Sequence, residues 1–172
     1  MTKNYFAMQW HITDRCDQRC KHCYIFAGED KSYSPEFDLS TLKEIFFDFL
    51  ATCKKMDKRP SISVTGGDPL LHKDVWSLLA LFKEYNVPFA ILGNPFHLNE
   101  NVAKQLKELG CTTYQMSLDG LKETHDFIRK PGSFDATLNK IHVLNEVGIK
   151  SAIATTVSKT NIDEIPQLVK VA

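Results

Sequence analysis

The feature that most constrains this chain is a repeated alternation of short apolar segments with segments of helical periodicity. Five segments predict strands, at Met8–Thr13, Ser61–Thr65, Pro88–Leu92, Thr112–Leu118 and Ser151–Val157. A helical pattern follows each of them, and strands joined through a helix pair in parallel with a right-handed crossover. The alternation therefore predicts an α/β fold built on one parallel sheet.

The helical patterns have apolar residues three and four positions apart, so each helix would cover the sheet with one face. They run over Leu39–Cys53, Val75–Phe82, Val102–Leu109, Phe134–Val147 and Ile162–Ala172. Apolar strands such as Phe89–Leu92 favour a sheet that is also covered on its inner face. Glu29–Phe37 is the one loop-like polar stretch of note.

The length of the chain limits how far this pattern can extend. A closed eight-fold (β/α) barrel requires about 250 residues, whereas this chain has 172 residues and is still apolar at Ala172. We therefore expect a parallel partial (β/α) barrel that forms one domain over residues 1–172 and is truncated at its C-terminus.

The charge balance and the N-terminus exclude several classes of protein. Lys and Arg together number 21, as do Asp and Glu, so there is no electrostatic case for binding nucleic acid or an anionic membrane. No apolar run is long enough to span a bilayer, and the segment MTKNYFAMQW lacks the apolar core of a signal peptide. We expect no nucleic-acid or membrane partner and a cytoplasmic location.

The five cysteines are unevenly distributed. Cys16, Cys20 and Cys23 lie within eight residues, whereas Cys53 and Cys111 stand alone on apolar patterns, where we expect them to pack in the core. An odd number argues against a disulfide framework of the kind that small secreted domains use. The three clustered cysteines indicate a metal site in a reducing compartment.

Two kinds of metal site suit these three cysteines, which follow the first predicted strand. Three thiolates can bind three irons of a four-iron cubane and leave the fourth iron open, whereas clusters that only carry electrons usually have four cysteine ligands. The first site therefore predicts chemistry at an open iron. The alternative is a zinc knuckle in which His22 completes the ligand set.

The pattern Cys-x3-Cys-x2-Cys after a first strand resembles the signature of the radical S-adenosylmethionine (SAM) superfamily. The resemblance implies that Cys16, Cys20 and Cys23 bind a [4Fe–4S] cluster whose open iron chelates the amino and carboxylate groups of SAM. It further implies reductive cleavage of SAM to methionine and a 5′-deoxyadenosyl radical, which abstracts a hydrogen atom from the substrate. The resemblance extends from Met8 to about Asn161.

A second motif, Gly-Gly-Asp-Pro at Gly66, Gly67, Asp68 and Pro69, follows the second strand. Two glycines let the backbone pass close to a ligand, and a carboxylate can accept hydrogen bonds from an ammonium group. The motif by itself is also a common turn. The resembled family usually has Gly-Gly-Glu-Pro here, in contact with the SAM amino group, and the Asp68 side chain is one methylene shorter.

Four further positions are implied as SAM contacts by the same resemblance. Tyr24 follows the third cysteine, and Asn94 comes after the third strand, where the family has an Asn near the SAM ribose or carboxylate. Ser117 opens a Ser-Leu-Asp-Gly segment like that of peptide- and protein-modifying members, in which the Ser contacts SAM. Arg129 stands where a downstream Arg pairs with the SAM carboxylate, and we expect His125 between them to be structural.

The Ser-Leu-Asp-Gly segment makes the peptide- and protein-modifying branch, with its SPASM-type maturases, the most similar in appearance. That resemblance implies a peptide or protein substrate and a reducing partner such as a flavodoxin or ferredoxin. It also implies auxiliary clusters in a C-terminal extension, which would lie beyond Ala172. The alternatives are a radical SAM enzyme for a small metabolite or cofactor precursor, and a non-catalytic module that binds zinc or an iron–sulfur cluster.

Overall fold

The computed structural model describes residues 4–26 and 34–171. The strands are β1 (Tyr5–Thr13), β2 (Arg59–Gly66), β3 (Phe89–Leu92), β4 (Cys111–Ser117) and β5 (Lys150–Ala154). The helices are α1 (Leu39–Lys55), α2 (Val75–Glu84), α3 (Glu100–Glu108), α4 (Lys122–Ile128), α5 (Ser133–Glu146) and α6 (Ile165–Val171). Residues 29–33 of the predicted polar loop Glu29–Phe37, and Ala172 of the last predicted helix, lie outside the described residues.

The five strands form one parallel sheet in the order in which they occur along the chain. This confirms the predicted α/β fold and each predicted strand, with shifts at the ends. Helix α4 has no counterpart among the predicted helices, because its seven residues are too short to show a periodic apolar face. Predicted strand residues 155–157 lie beyond β5, which ends at Ala154.

The main core lies between the helices and one face of the sheet. Ile62 and Val64 of β2 and Ile91 of β3 are wholly buried, and they pack in one cluster with Phe46 of α1 and Phe82 of α2. The lone cysteines Cys53 and Cys111 belong to the same cluster, as the sequence predicts. Burying each large side chain of this kind contributes about 1.5–3 kcal/mol to folding.

The opposite face of the sheet differs from the sequence prediction. Ser61, Ser63 and Thr65 of β2 alternate with the buried Ile62 and Val64, and they are only half-buried. The edge strands β1 and β5 do not pair with each other, so the sheet is open among the described residues and this face is not closed into a barrel interior. The prediction of a covered inner face is wrong for these residues.

Because all five strands run in the same direction, their carboxyl ends meet at one edge of the sheet. The cysteine loop, the glycine pair, Asn94 and the Ser117 segment all follow strand ends at this edge. None of the helices among the described residues combines the length and apolar character needed to cross a bilayer.

Candidate functional site

A cavity opens at the carboxyl edge of the sheet. It is lined by all of the sequence-predicted site residues except Asp68, namely Cys16, Cys20, Cys23, Tyr24, Gly66, Gly67, Asn94, Ser117 and Arg129. Gln18, Ile25, Phe26, Thr65, Leu92, Gly93 and Gln115 complete the lining. The fold therefore brings together residues that are more than 100 positions apart in the sequence.

The glycine pair supports the loop that carries the cysteines. The N–H of Gly67 donates to Thr13 O at 2.7 Å, and the N–H of Asp68 donates to Arg15 O at 2.7 Å. A Cβ atom on Gly67 would lie 2.2 Å from Arg15 O, and Gly66 has a φ of +150° that favours glycine. The close approach that the sequence motif predicts is therefore an approach to the cysteine loop.

The three thiols of this loop are half-buried. Burial raises the pKa of Cys16 to about 11, although the N–H of Gln18 opposes this shift. Burial also raises the pKa of Cys20, with the Arg129 cation acting in the opposite direction. In the metal-free chain both side chains are therefore thiols at neutral pH, and a bound metal would have to displace their protons.

The separation of the sulfur atoms distinguishes the two metal sites that the sequence leaves open. Tetrahedral zinc with Zn–S bonds of about 2.3 Å brings its sulfur ligands within roughly 4 Å of one another. Within residues 4–26 and 34–171, the three cysteines do not form a set whose sulfur atoms all lie within 4.8 Å of each other. His22 Nε2 faces Arg129 Nη2 at 3.4 Å. The arrangement fits a wider, cubane-type cluster better than a zinc knuckle.

Asp68 is wholly buried and does not line the cavity. Its Oδ1 accepts from the N–H of Leu70 at 3.1 Å, and its Oδ2 has no hydrogen-bond partner among the described residues. Burial raises the pKa of Asp68 to about 6, and the Leu70 N–H opposes the shift. The shorter side chain thus caps the turn that follows it, and main-chain atoms of Gly66 and Gly67 face the cavity.

Asp17, Asp68 and His97 place three potential ligand atoms within 4.8 Å of one another. A cation already lies beside this group, since Lys130 Nζ is 3.6 Å from Asp17 Oδ2. The ammonium group offsets part of the negative charge of the two carboxyl groups, so the cluster does not call for a second cation.

Asn94 connects the end of β3 to the cysteine loop. Its Nδ2 donates to Asp17 Oδ1 at 2.8 Å and lies 3.7 Å from Cys16 Sγ, while its Oδ1 accepts from the N–H of Phe96 at 2.9 Å. The Tyr114 hydroxyl donates to Asn94 O at 3.1 Å. All polar groups of the Asn94 side chain are thereby engaged with protein atoms.

Arg129 makes a comparable connection on the other side of the loop. Its Nε donates to Asp119 Oδ2 at 2.5 Å, and its Nη1 lies 3.6 Å from Cys20 Sγ. Asp119 is a residue of the site to which the sequence analysis assigns no role. The Asp of the Ser-Leu-Asp-Gly segment is a sequence signal for such a role, but its partner Arg129 lies ten residues further along the chain, at the end of another element.

Three other predicted residues have simpler surroundings. Ser117 is half-buried at the end of β4 and lines the cavity. Tyr24 is 77% exposed, and its hydroxyl lies 3.2 Å from His11 Nδ1. His125 is wholly buried, burial lowers its pKa, and its Nδ1 accepts from the N–H of Asp119 at 3.0 Å.

The family model described as the Radical SAM superfamily matches residues 10–172. The chain belongs to the radical SAM superfamily. Members of this superfamily use a [4Fe–4S] cluster together with SAM, and the predicted family and cofactors are thereby confirmed. The donor set of the cavity, three thiols with main-chain groups and one arginine, fits that pair of cofactors.

The chain is similar to proteins named for tetrapyrrole synthesis and to a protein named for maturation of a killing factor. Fe-coproporphyrin III synthase of Methanosarcina barkeri is 36% identical over 92% of this chain and 39% of its own length. The AdoMet-dependent heme synthase of the same organism is 31% identical over 100% of this chain and 48% of its own length. The sporulation killing factor maturation protein SkfB of Bacillus subtilis is 28% identical over 92% of this chain and 37% of its own length. The chain thus spans less than half of each of these relatives.

Solved structures support the fold. Streptococcus suis SuiB bound to SAM superposes with a TM-score of 0.73 and 22% identity, over 98% of this chain and 38% of SuiB. The protein anSMEcpe, bound to AdoMet and the Kp18Cys peptide, superposes with a TM-score of 0.79 and 17% identity, over 96% of this chain and 47% of its own. At these identities the likeness concerns the fold alone, and it confirms the partial-barrel class.

Proposed function

We propose that residues 1–172 form the core domain of a radical SAM enzyme in which Cys16, Cys20 and Cys23 ligate the [4Fe–4S] cluster. The observation that carries the proposal is the convergence of three half-buried thiols with the glycine pair and the β4 end on one cavity. A cluster held by these three thiolates would supply, with SAM bound, the electron for reductive cleavage of SAM to methionine and a 5′-deoxyadenosyl radical. An electron donor such as a flavodoxin or ferredoxin belongs to the same proposal.

Some of the cavity residues have polar groups that are available to contact SAM, whereas others have polar groups that are already bonded to protein atoms. Gly66 and Gly67 present main-chain atoms, which we assign to the amino end of SAM, and Ser117 presents a hydroxyl for the ribose or carboxylate. Asp68 follows the glycine pair and caps the turn over Pro69–Leu71, so it helps to fix the position of the glycines. The side-chain N–H groups of Asn94 and Arg129 are directed at protein atoms, including two cysteine sulfurs. Tyr24 lies at the exposed rim, where a substrate or SAM can reach its ring.

We further propose a peptide or protein substrate. The support is the Ser-Leu-Asp-Gly segment at Ser117, its continuation to Arg129, and the similarity to SkfB, which is named as a maturation protein. The half-buried Ser and Thr side chains of the uncovered sheet face suit an uncharged segment of extended chain, because they offer hydrogen bonds without a fixed charge.

A tetrapyrrole substrate is the second candidate. It is favoured by the higher identity to Fe-coproporphyrin III synthase and to the AdoMet-dependent heme synthase. Such a substrate carries several carboxylates. Among the described residues the lining of the cavity holds one cationic side chain, Arg129, so the charge of the cavity favours the peptide proposal over a tetrapyrrole.

The first experiment is electron paramagnetic resonance of anaerobically reconstituted, dithionite-reduced protein, with and without SAM. We expect a [4Fe–4S]⁺ signal that changes when SAM is added, is lost in Cys23→Ala and persists in the matched variant Cys53→Ala. A protein that takes up zinc instead, or a signal indifferent to SAM, would contradict the proposal and favour a non-catalytic metal module.

The substrate is then tested by 5′-deoxyadenosine formation with two probes, Fe-coproporphyrin III and SuiA, the precursor peptide to which SuiB is bound in a solved structure. A stimulation of about tenfold or more by the peptide alone supports the peptide proposal. Stimulation by the tetrapyrrole alone, with a perturbed absorption spectrum of the bound pigment, selects the second candidate.

A further inference from the structure

The guanidinium of Arg129 faces three protein groups at once. Its Nε lies 2.5 Å from Asp119 Oδ2, its Nη1 lies 3.6 Å from Cys20 Sγ, and its Nη2 lies 3.4 Å from His22 Nε2. The Arg129 side chain is only 14% exposed and that of Asp119 is wholly buried. The cation is therefore held between a fixed carboxylate and a cysteine of the cavity.

Asp119 has little freedom to follow another partner. Its Oδ1 accepts from the N–H of Thr156 at 2.8 Å, and its main-chain O accepts from Asn161 Nδ2 at 2.7 Å. Its own N–H donates to His125 Nδ1 at 3.0 Å. A buried carboxylate that accepts both a main-chain N–H and a guanidinium N–H fixes the orientation of the arginine.

The hydrogen bonds continue around Cys20 from the opposite side. His125 Nε2 lies 3.0 Å from Ser133 Oγ, which accepts from Gln18 Nε2 at 3.0 Å. The Cys20 thiol in turn lies 3.7 Å from Gln18 Oε1. Gln18, Ser133 and His125 are almost wholly buried. Cys20, which still lines the cavity, is thus one member of a closed chain of polar contacts in which Arg129 is the cation.

We propose that Arg129 is a positioning residue that donates an N–H to the Cys20 sulfur, with Asp119 as its fixed counter-ion, and thereby raises the reduction potential of the cluster. A charge-assisted donor at a ligand sulfur stabilises the more negative, reduced state. The inference rests on the proposed function, because it requires Cys20 to be a ligand. It assigns Arg129 a partner other than the SAM carboxylate that the family resemblance implies.

The test compares the cluster potential in two variants of the reconstituted full chain, one that loses the positive charge of Arg129 and one that loses the negative charge of Asp119. Arg129→Gln removes the cation, so we expect the ratio of reduced to oxidised cluster at fixed potential to fall about tenfold, which is about 59 mV for a one-electron couple. Asp119→Asn leaves the cation unbalanced, so we expect a shift of opposite sign. Lys122→Gln is the matched control, since it removes one exposed cation from α4, and its potential should be unchanged.

The readouts are iron content, the midpoint potential from redox titrations followed by electron paramagnetic resonance, and the dissociation constant for SAM. Arg129→Lys, which keeps the charge but not the planar donor, provides a second measurement if Arg129→Gln does not retain the cluster. Midpoint potentials that stay at the control value in these variants, or that move in the same direction in Arg129 and Asp119 variants, overturn the inference. An unvaried protein that binds no SAM-responsive cluster would instead overturn the proposed function.

Discussion

The covered face of the sheet and its carboxyl edge use buried side chains in opposite ways. On the covered face the rings of Phe46 and Phe82 lie 5.2 Å apart in an apolar cluster. At the carboxyl edge the buried groups are polar, and they include Gln18, Asp68, Asn94, Asp119, His125, Ser133 and Asn161. Apolar packing stabilises without fixing one orientation, whereas a buried hydrogen-bond network fixes orientation at a cost in desolvation.

This difference suggests that stability and cofactor binding are separable properties of the chain. Substitutions on the covered face should change the free energy of unfolding and leave cluster binding intact in the folded fraction. Substitutions at the carboxyl edge should change cluster binding, or the pH dependence of stability, more than they change stability at neutral pH.

The largest loss of stability is expected for Phe46→Ala. Phe46 is wholly buried and contacts the rings of Phe82 and Tyr85. Removing a buried aromatic ring costs about 3–5 kcal/mol of the free energy of unfolding. Urea unfolding of the metal-free chain measures this loss. The iron content per folded molecule should be unchanged, and a loss of iron in proportion to stability would contradict the separation.

The next largest effect is expected for Asp68→Asn, and it depends on pH. The folded-state pKa of about 6 lies above the ordinary 3.8, so the folded state binds the proton more tightly than the unfolded state does. Stability is therefore lost as the pH rises through this interval, by up to about 3 kcal/mol. Unfolding of the metal-free chain should show a stabilised Asp68→Asn variant at pH 8 and little difference at pH 4. An equal gain at both values would rule out titration of Asp68 as the cause.

A smaller loss of stability, with a large loss of iron, is expected for Gly67→Ala. The new Cβ would meet Arg15 O at 2.2 Å and displace the cysteine loop, and overpacking of this kind costs about 1–3 kcal/mol. Gly110→Ala is the matched control, because its φ of +94° strains an alanine but nothing lies within 4 Å of the added atom. Iron retention in Gly67→Ala equal to that of the control would show that the loop tolerates the shift.

The smallest effect is expected for Asn99→Ala. Asn99 caps α3 by accepting from the N–H of Val102 at 3.0 Å, and loss of such a cap costs about 1 kcal/mol. Thermal unfolding of the metal-free chain measures this loss. The electron paramagnetic resonance signal should not change, and a changed signal would connect the helical layer to the site.

The two regions also differ in how far the sequence predicts them. The positions of Ile62, Val64 and Phe46 follow from local apolar periodicity, which does not depend on distant partners. Helix α4 is missed because it is short, and the uncovered face is missed because no local pattern shows whether the two edge strands of a sheet pair with each other. At the carboxyl edge the sequence identifies the three cysteines and six other residues that share their cavity, but not the direction of their side chains.

The sequence by itself determined the order of the strands and of five of the six helices, the parallel sheet and the three clustered thiols, because each depends on spacing along the chain. The resemblance of the cysteine motif indicated the family. Only the tertiary structure decided that Asp68 is buried outside the lining of the cavity and that Asn94 and Arg129 face cysteine sulfurs. Asn94 and Cys16 are 78 residues apart, and Arg129 and Cys20 are 109 residues apart. Such contacts depend on how separate loops meet at the edge of the sheet, which no local pattern encodes.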